Sequence, residues 1–209
     1  MFKKHKKQEG IMKKILTAAV FVAALAVTSF AQDNPVKLSL YDQIAWNKAE
    51  KANVVLGLVD NNTPQVVGAD LNLISARTNE LTGFQFAFIY NRATEMTGVH
   101  GALYTVAEQA TGLQWGFINT ADEVTGVQWG FVNISKESLY GAQFSFVNFA
   151  KEVQGAQFGF YNQADKFTGL QFGFVNNIKT IDRGLQLGLV NLIQNNGYFP
   201  GMILVNGRF

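Results

Sequence analysis

The chain contains no cysteine, and only two histidines and three prolines in 209 residues. Without thiols it forms no disulfide and offers no thiolate to a metal or a substrate. It also lacks the cysteine that a bacterial lipid anchor would require. One of the two histidines lies among the first 31 residues, which leaves His100 alone in the remainder. A single imidazole, with no second His and no Cys, does not complete a zinc site, and every Ser-His-Asp arrangement would have to share it. His100 therefore reads as one more polar side chain of a repeat rather than a base or a ligand. Glycines are plentiful but alternate within extended segments, and none forms a phosphate loop leading into a helix. The adjacent acids Asp122 and Glu123 lack the Asp density of calcium-binding repeats. These absences point away from an enzyme and imply no cofactor and no metal.

Long apolar runs are also scarce. Lys13 and Lys14, the apolar stretch from Ile15 to Val27 and the small-residue site Ser29-Phe30-Ala31 together read as an export signal over residues 1–31. Met12 is a plausible alternative start. That stretch is too short for a spanning helix, and no second run of about 18 apolar residues follows. The expected mature chain, 32–209, is a single repeat-built β domain. Six of the 17 Lys/Arg and one of the 15 Asp/Glu precede residue 32, which leaves 11 basic and 14 acidic groups. The sequence pI near 8.8 therefore reflects the leader, and the mature balance gives no support for a nucleic-acid partner.

What the chain does have is one phrase, written many times. Gly-Leu-Gln-Trp-Gly-Phe-Ile-Asn at 112–119 returns at 126–133, 141–148, 155–162, 169–176 and 184–191. Looser copies start at Asn53, Gly68, Gly83, Gly98 and Phe199, always 14 or 15 residues after the previous start. A fixed short period means one structural unit stacked repeatedly. Four copies define it most sharply: Gly112, Gln114, Gly116, Asn119; Gly126, Gln128, Gly130, Asn133; Gly155, Gln157, Gly159, Asn162; and Gly169, Gln171, Gly173, Asn176.

With the first Gly as position zero, positions one, three and five are apolar and mostly bulky, while zero, two and four are Gly, Gln and a small residue. Period-two alternation predicts one β-strand per repeat with a bulky face and a small, polar face. Charges cluster in the segments after each Asn, such as Lys136-Glu137 and Lys151-Glu152, and predict turns reaching water. The Asn can bond its own backbone at a turn or form a ladder with neighbouring copies; the turn is the expected role.

The bulky face needs cover, because so large an apolar surface exceeds what soluble monomers expose. A narrow solenoid with one repeat per coil is set aside, since several bulky side chains per level would not fit inside it. Two solutions remain. In an up-and-down β-barrel of about 12 strands, including an opening strand at 36–41, lipid covers the bulky face and Gly and Gln line the lumen. In a flattened two-sheet β-solenoid with two repeats per coil, bulky residues interdigitate between sheets about 10 Å apart. The export signal, the even strand count and the terminal Phe209, with Ile203 and Val205 on its face, favour the barrel; Gly207 stands where an aromatic is usual. Trp115 and Trp129 then read as core or lipid contacts.

The tandem phrase, with the opening Val36-Lys-Leu-Ser-Leu-Tyr41 and the ending Tyr198-Phe-Pro-Gly-Met-Ile-Leu-Val-Asn-Gly-Arg-Phe209, resembles a family of bacterial surface-repeat proteins built from Gly-Leu-Gln-x-Gly-Leu-Val-Asn units. The resemblance covers about residue 36 to the end. Leu at positions three and five is often Trp or Phe here, and copy 98–105 departs furthest. The resemblance implies an outer-membrane or cell-surface location and no established activity. The expectation is a non-enzymatic envelope protein: a small barrel in outer-membrane lipid with a structural or narrow-pore role, or alternatively a secreted or surface-attached solenoid serving as an interaction or adhesion module.

Overall fold

The computed structural model describes residues 36–41 and 44–209. The expected export signal at 1–31 lies outside the described residues. Ten strands form one sheet system: β1 (Val36–Tyr41), β2 (Ile44–Trp46), β3 (Lys51–Gly57), β4 (Asp60–Asn62), β5 (Gln65–Asn72), β6 (Ser75–Ala87), β7 (Tyr90–Trp129), β8 (Val132–Phe144), β9 (Val147–Asn195) and β10 (Gly201–Arg208). The order is β10-β9-β8-β7-β6-β5-β3-β1-β2, with β4 on β6. A straight strand as long as β9, 49 residues, would exceed 150 Å at about 3.3 Å per residue. It winds instead, and its backbone stays extended around successive coils.

The register identifies the winding. Gly68 pairs with Gly83, Gly83 with Gly98, Gly126 with Gly141 and Gly141 with Gly155, all in parallel. Each residue therefore sits beside its equivalent one repeat away. The result is a β-solenoid of about eight turns. This corrects the expected up-and-down barrel, whose neighbouring strands would run antiparallel. Within the sheet only the ends do so, β1 with β2 and β9 with β10. The opening strand at 36–41 is present as β1. Phe209 closes no barrel: it lies 81% exposed beyond β10, which caps the last coil and is bulged between Met202 and Leu204.

The solenoid alternative holds as a class but differs inside. One repeat, not two, makes each coil, because the register steps are 14 or 15 residues. The faces are also reversed. Gln114, Gln128, Gln143, Gln157 and Gln171 are buried, as are Asn119, Asn133, Asn148, Asn162 and Asn176, while Trp115, Phe117, Trp129 and Phe131 are exposed. The steric objection to a narrow coil assumed bulky residues pointing inward; with amides inside, the objection disappears.

Two further interior positions lie outside the phrase, one in the segment expected to be a turn and one at the expected start of the next strand. Nine residues after the Gly stand Ala121, Ala150, Ala164 and Ile178; two residues before it stand Val124, Leu139, Val153 and Phe167. These form the apolar half of a narrow core. The charged residues between them lie on the outside, where Lys136 donates to Asp122 at 2.8 Å and Lys151 pairs with Glu137 on the neighbouring coil. Such exposed pairs add little stability.

The first Gly of each repeat sets the coil spacing. Gly126 has φ +133°, a region open essentially to Gly alone. A Cβ there would lie 2.2 Å from the Gly112 carbonyl oxygen of the coil beneath. The same close approach recurs along the column from Gly83 to Gly184.

Candidate functional site

Two amide columns hold the interior together. Gln128 donates Nε2 to Gln114 Oε1 at 2.7 Å, Gln143 to Gln128 at 2.7 Å, Gln157 to Gln143 at 2.8 Å, Gln171 to Gln157 at 2.7 Å and Gln186 to Gln171 at 2.9 Å. Most of these amides also donate across the corner of their own coil, as Gln157 does to the Gln163 carbonyl at 3.2 Å. The Asn column runs in the opposite sense: Asn119 donates to Asn133 at 2.9 Å, Asn148 to Asn162 at 2.9 Å and Asn162 to Asn176 at 2.8 Å. Each also reaches a position-three carbonyl of the next coil, as Asn148 does to Phe158. The ladder role therefore replaces the expected turn role. Gly130, Gly159 and Gly173 leave room for it, since a Cβ on any of them would meet an Asn amide within 2.7 Å. The repeat-defining residues are thus brought together as structure. Their polar atoms face one another, and no ligand can reach them.

The ladders are disrupted at the N-terminal end. Asp70 stands where later copies carry Gln and accepts from Gln85 at 2.7 Å, from Asn72 and from Asn61. Burial pushes its carboxyl up to about 6, against the pull of those donors and of Lys37. Two rungs later, beyond Gln85, His100 is fully buried, and neither ring nitrogen has a partner. Burial lowers its pKa to about 3. Gln85 Oε1, the acceptor facing it, is also unpartnered. Among the described residues no group of three or more His, Asp or Glu could hold a metal. His100 and Asp70 are sealed from solvent and interrupt a ladder; they do not converge on a cavity.

The accessible chemistry lies outside. Phe117, Phe131, Phe146, Phe160 and Phe174, all at position five, form one column. Successive centroids are 4.8, 5.2, 4.9 and 4.9 Å apart, with planes within 7°. That spacing is the strand spacing itself, so the column is straight. Position three adds a second column, Trp115, Trp129, Phe144, Phe158 and Phe172, in which Phe144 and Phe158 stack at 4.8 Å. Trp115 and Trp129 are 55% and 61% exposed, which corrects their reading as core residues. Nine rings on these columns are exposed. With about 200 Å² per fully exposed ring they present about 1,000 Å², beyond the few hundred usual for a monomer's largest apolar patch. No charged side chain occupies positions one, three or five from Val54 to Leu189.

The columns have one gap. Position three of the copy starting at Gly98 is Gly101, paired with Phe86 below and one repeat before Trp115. A groove of about 260 Å³ opens there, lined by Phe86, Phe88, Leu103, Trp115 and Phe117 among others. Sequence reasoning noticed that this copy departs from the pattern but gave the missing ring no role. Comparing position three across copies was the available signal. Asp70 was missed in the same way, as the acid in a column of Gln.

Comparison with family models, characterised proteins and solved structures finds no match to this chain.

Proposed function

We propose that the chain is a non-enzymatic interaction module of the bacterial envelope, a secreted or surface-attached β-solenoid that binds through its aromatic face. The observation that carries this reading is the uncharged double column of exposed rings on a rigid, straight support. Unpaired apolar surface of this extent marks a binding site, and straight ladders resist bending away from a partner. The envelope location rests on the sequence: the export signal over 1–31 and the resemblance to surface-repeat proteins. The non-enzymatic reading rests on polar groups that satisfy one another inside the coils. The test replaces Phe131, Phe146 and Phe160 together with Ser, all three being surface positions. The variant is expected to keep the β circular-dichroism spectrum of the parent and to lose retention on bacterial envelopes. Undiminished retention by a folded variant would refute the reading.

A further inference from the structure

We infer that the aromatic face binds a second copy of this chain, with Trp129 of each copy entering the groove at Gly101 of the other. The inference rests on the face being a binding surface and names what covers it.

The groove has the dimensions of one missing ring. Phe86 and Trp115 lie two coils apart, about 9.6 Å at the strand spacing. A planar ring placed midway would sit about 4.8 Å from each, the separation already seen between Phe117 and Phe131. The flanking rings lean in: a Cβ on Gly101 would lie 3.2 Å from Phe86 Cδ2 and 3.7 Å from Trp115 Cε3. A cavity of about 260 Å³ is below the usual range for drug-sized ligands and suits a single aromatic side chain.

The same column carries the ring to fill it. Gly101, Trp115 and Trp129 are successive position-three residues, 14 apart in each case. A two-fold axis lying in the interface plane, perpendicular to the stack and passing over Trp115, exchanges the rungs on either side of it. Trp129, 61% exposed, then lies over the partner's empty rung, and the reverse holds by symmetry, as an isologous interface requires. The same operation sets Phe86 against Phe144, Leu71 against Phe158 and Leu56 against Phe172, so each of these rungs meets an apolar rung. With no charge at the outward positions, two identical faces do not repel each other. About 1,000 Å² from each copy gives roughly 2,000 Å² in all, at the upper end of a standard stable interface.

Sedimentation of the mature chain tests this. The parent is expected to be dimeric at about 10 µM, within the affinity range for interfaces of this size. Trp129→Gly removes the projecting ring and should weaken the dimer about 30-fold or more, as loss of a central hot spot does. Gly101→Trp should weaken it comparably, since two rings would compete for one place. Gly101 lies outside the positive-φ set, and the one tight neighbour of an added Cβ, Phe86 Cδ2 at 3.2 Å, belongs to a side-chain ring that can turn aside. Combining Gly101→Trp with Trp129→Gly exchanges ring and groove and should restore the dimer, which damage to the fold could not do. A parent that stays monomeric at about 100 µM, an unaffected Trp129→Gly dimer, or a double variant no better than the worse single would overturn the inference. A monomeric parent whose envelope retention is still lost in the triple Ser variant would overturn only the second copy, leaving a lipid or another surface as the partner. A monomeric parent with retention intact would sink both readings.

Discussion

Replacing His100 with Gln should stabilise the protein, against the usual cost of altering a fully buried side chain. In the native chain three polar atoms at this rung lack partners: both His100 ring nitrogens and Gln85 Oε1. A Gln there would donate Nε2 to Gln85 and accept from Gln114, reproducing the 2.7 Å contacts of Gln128 and Gln143. Two added amide bonds contribute about 0.5–1.5 kcal/mol each, and relieving a buried unpaired group adds about 1–3 kcal/mol. The expected gain is about 3 kcal/mol at pH 7, or about 6–12 °C in melting temperature for a chain of this size. Acid adds a second signature. The folded-state pKa of about 3 lies below the unfolded value near 6.5, so the unfolded chain binds more protons between those limits. The neutral imidazole's share of stability is complete above about pH 6.5 and is lost as pH falls toward 3. The gap between variant and parent should therefore widen by about 2 kcal/mol from pH 7 to pH 5. Thermal scans at both pH values read both effects. His100→Leu separates them, since it removes the titration but leaves Gln85 unpaired. If His100→Gln melts no higher than the parent and the gap does not grow in acid, the ladder account of this rung is wrong.

Asp70 titrates with the opposite sign. Its folded pKa of about 6 exceeds the unfolded carboxyl value, so its contribution is complete below about pH 4 and is lost as pH rises through 6, about 3 kcal/mol in all. Asp70→Asn should abolish that slope in denaturant titrations at pH 4 and pH 7, whatever it does to the intercept. Gly126→Ala meets both a disallowed φ and the Gly112 carbonyl, and should lower stability by about 4 kcal/mol or more, read as a fallen denaturation midpoint or loss of soluble product. Gln143→Leu removes the bonds to Gln128 and from Gln157 and should cost about 2–4 kcal/mol. Phe146→Ser, at the exposed column, should cost only about 1–2 kcal/mol from two lost ring contacts. Urea unfolding of this pair would refute the assignment of inside and outside if their order were reversed.

The period was legible because Gly, Gln and Asn recur at fixed offsets, and each recurrence has a physical cause. Gly126 permits a close coil contact, while Gln128 and Asn133 complete ladders. The strand at 112–119 and the opening strand at 36–41 followed from alternation and are present. Alternation fixes which residues share a face, however, and not which face is inside. Hydrophobicity alone set Trp115 and Phe131 against lipid or against a facing sheet, hidden from water in either case. An isolated buried Gln is indeed costly, but a Gln repeated every coil meets its own copy at hydrogen-bonding distance, and the cost is offset rung by rung. The barrel expectation did place Gln inward and the aromatic residues outward, as observed, and failed on strand direction, since successive repeats pair in parallel.

Coil size explains why this inversion is favoured. A coil of 14 or 15 residues encloses a cross-section that holds Gln, Asn, a group from Ala to Ile in size and one from Val to Phe in size. Exchanging Gln128 for a second Phe would overfill it at every level. The aromatic residues then go outside, where they stack at the strand spacing and recover part of their burial against each other. They do not recover all of it, as the exposed rings of Trp129 and Phe172 show. The residual surface repeats with the same period as the ladder beneath it, so any partner meets a regular, straight and uncharged lattice. The empty rung at Gly101 gives that lattice an address among its ring-bearing coils. A partner recognising only the general apolar face would bind equally well at any register along the stack. A second copy held by Trp129 would bind at one register, and the exchange of Gly101 and Trp129 is therefore the experiment that separates a specific interface from general stickiness.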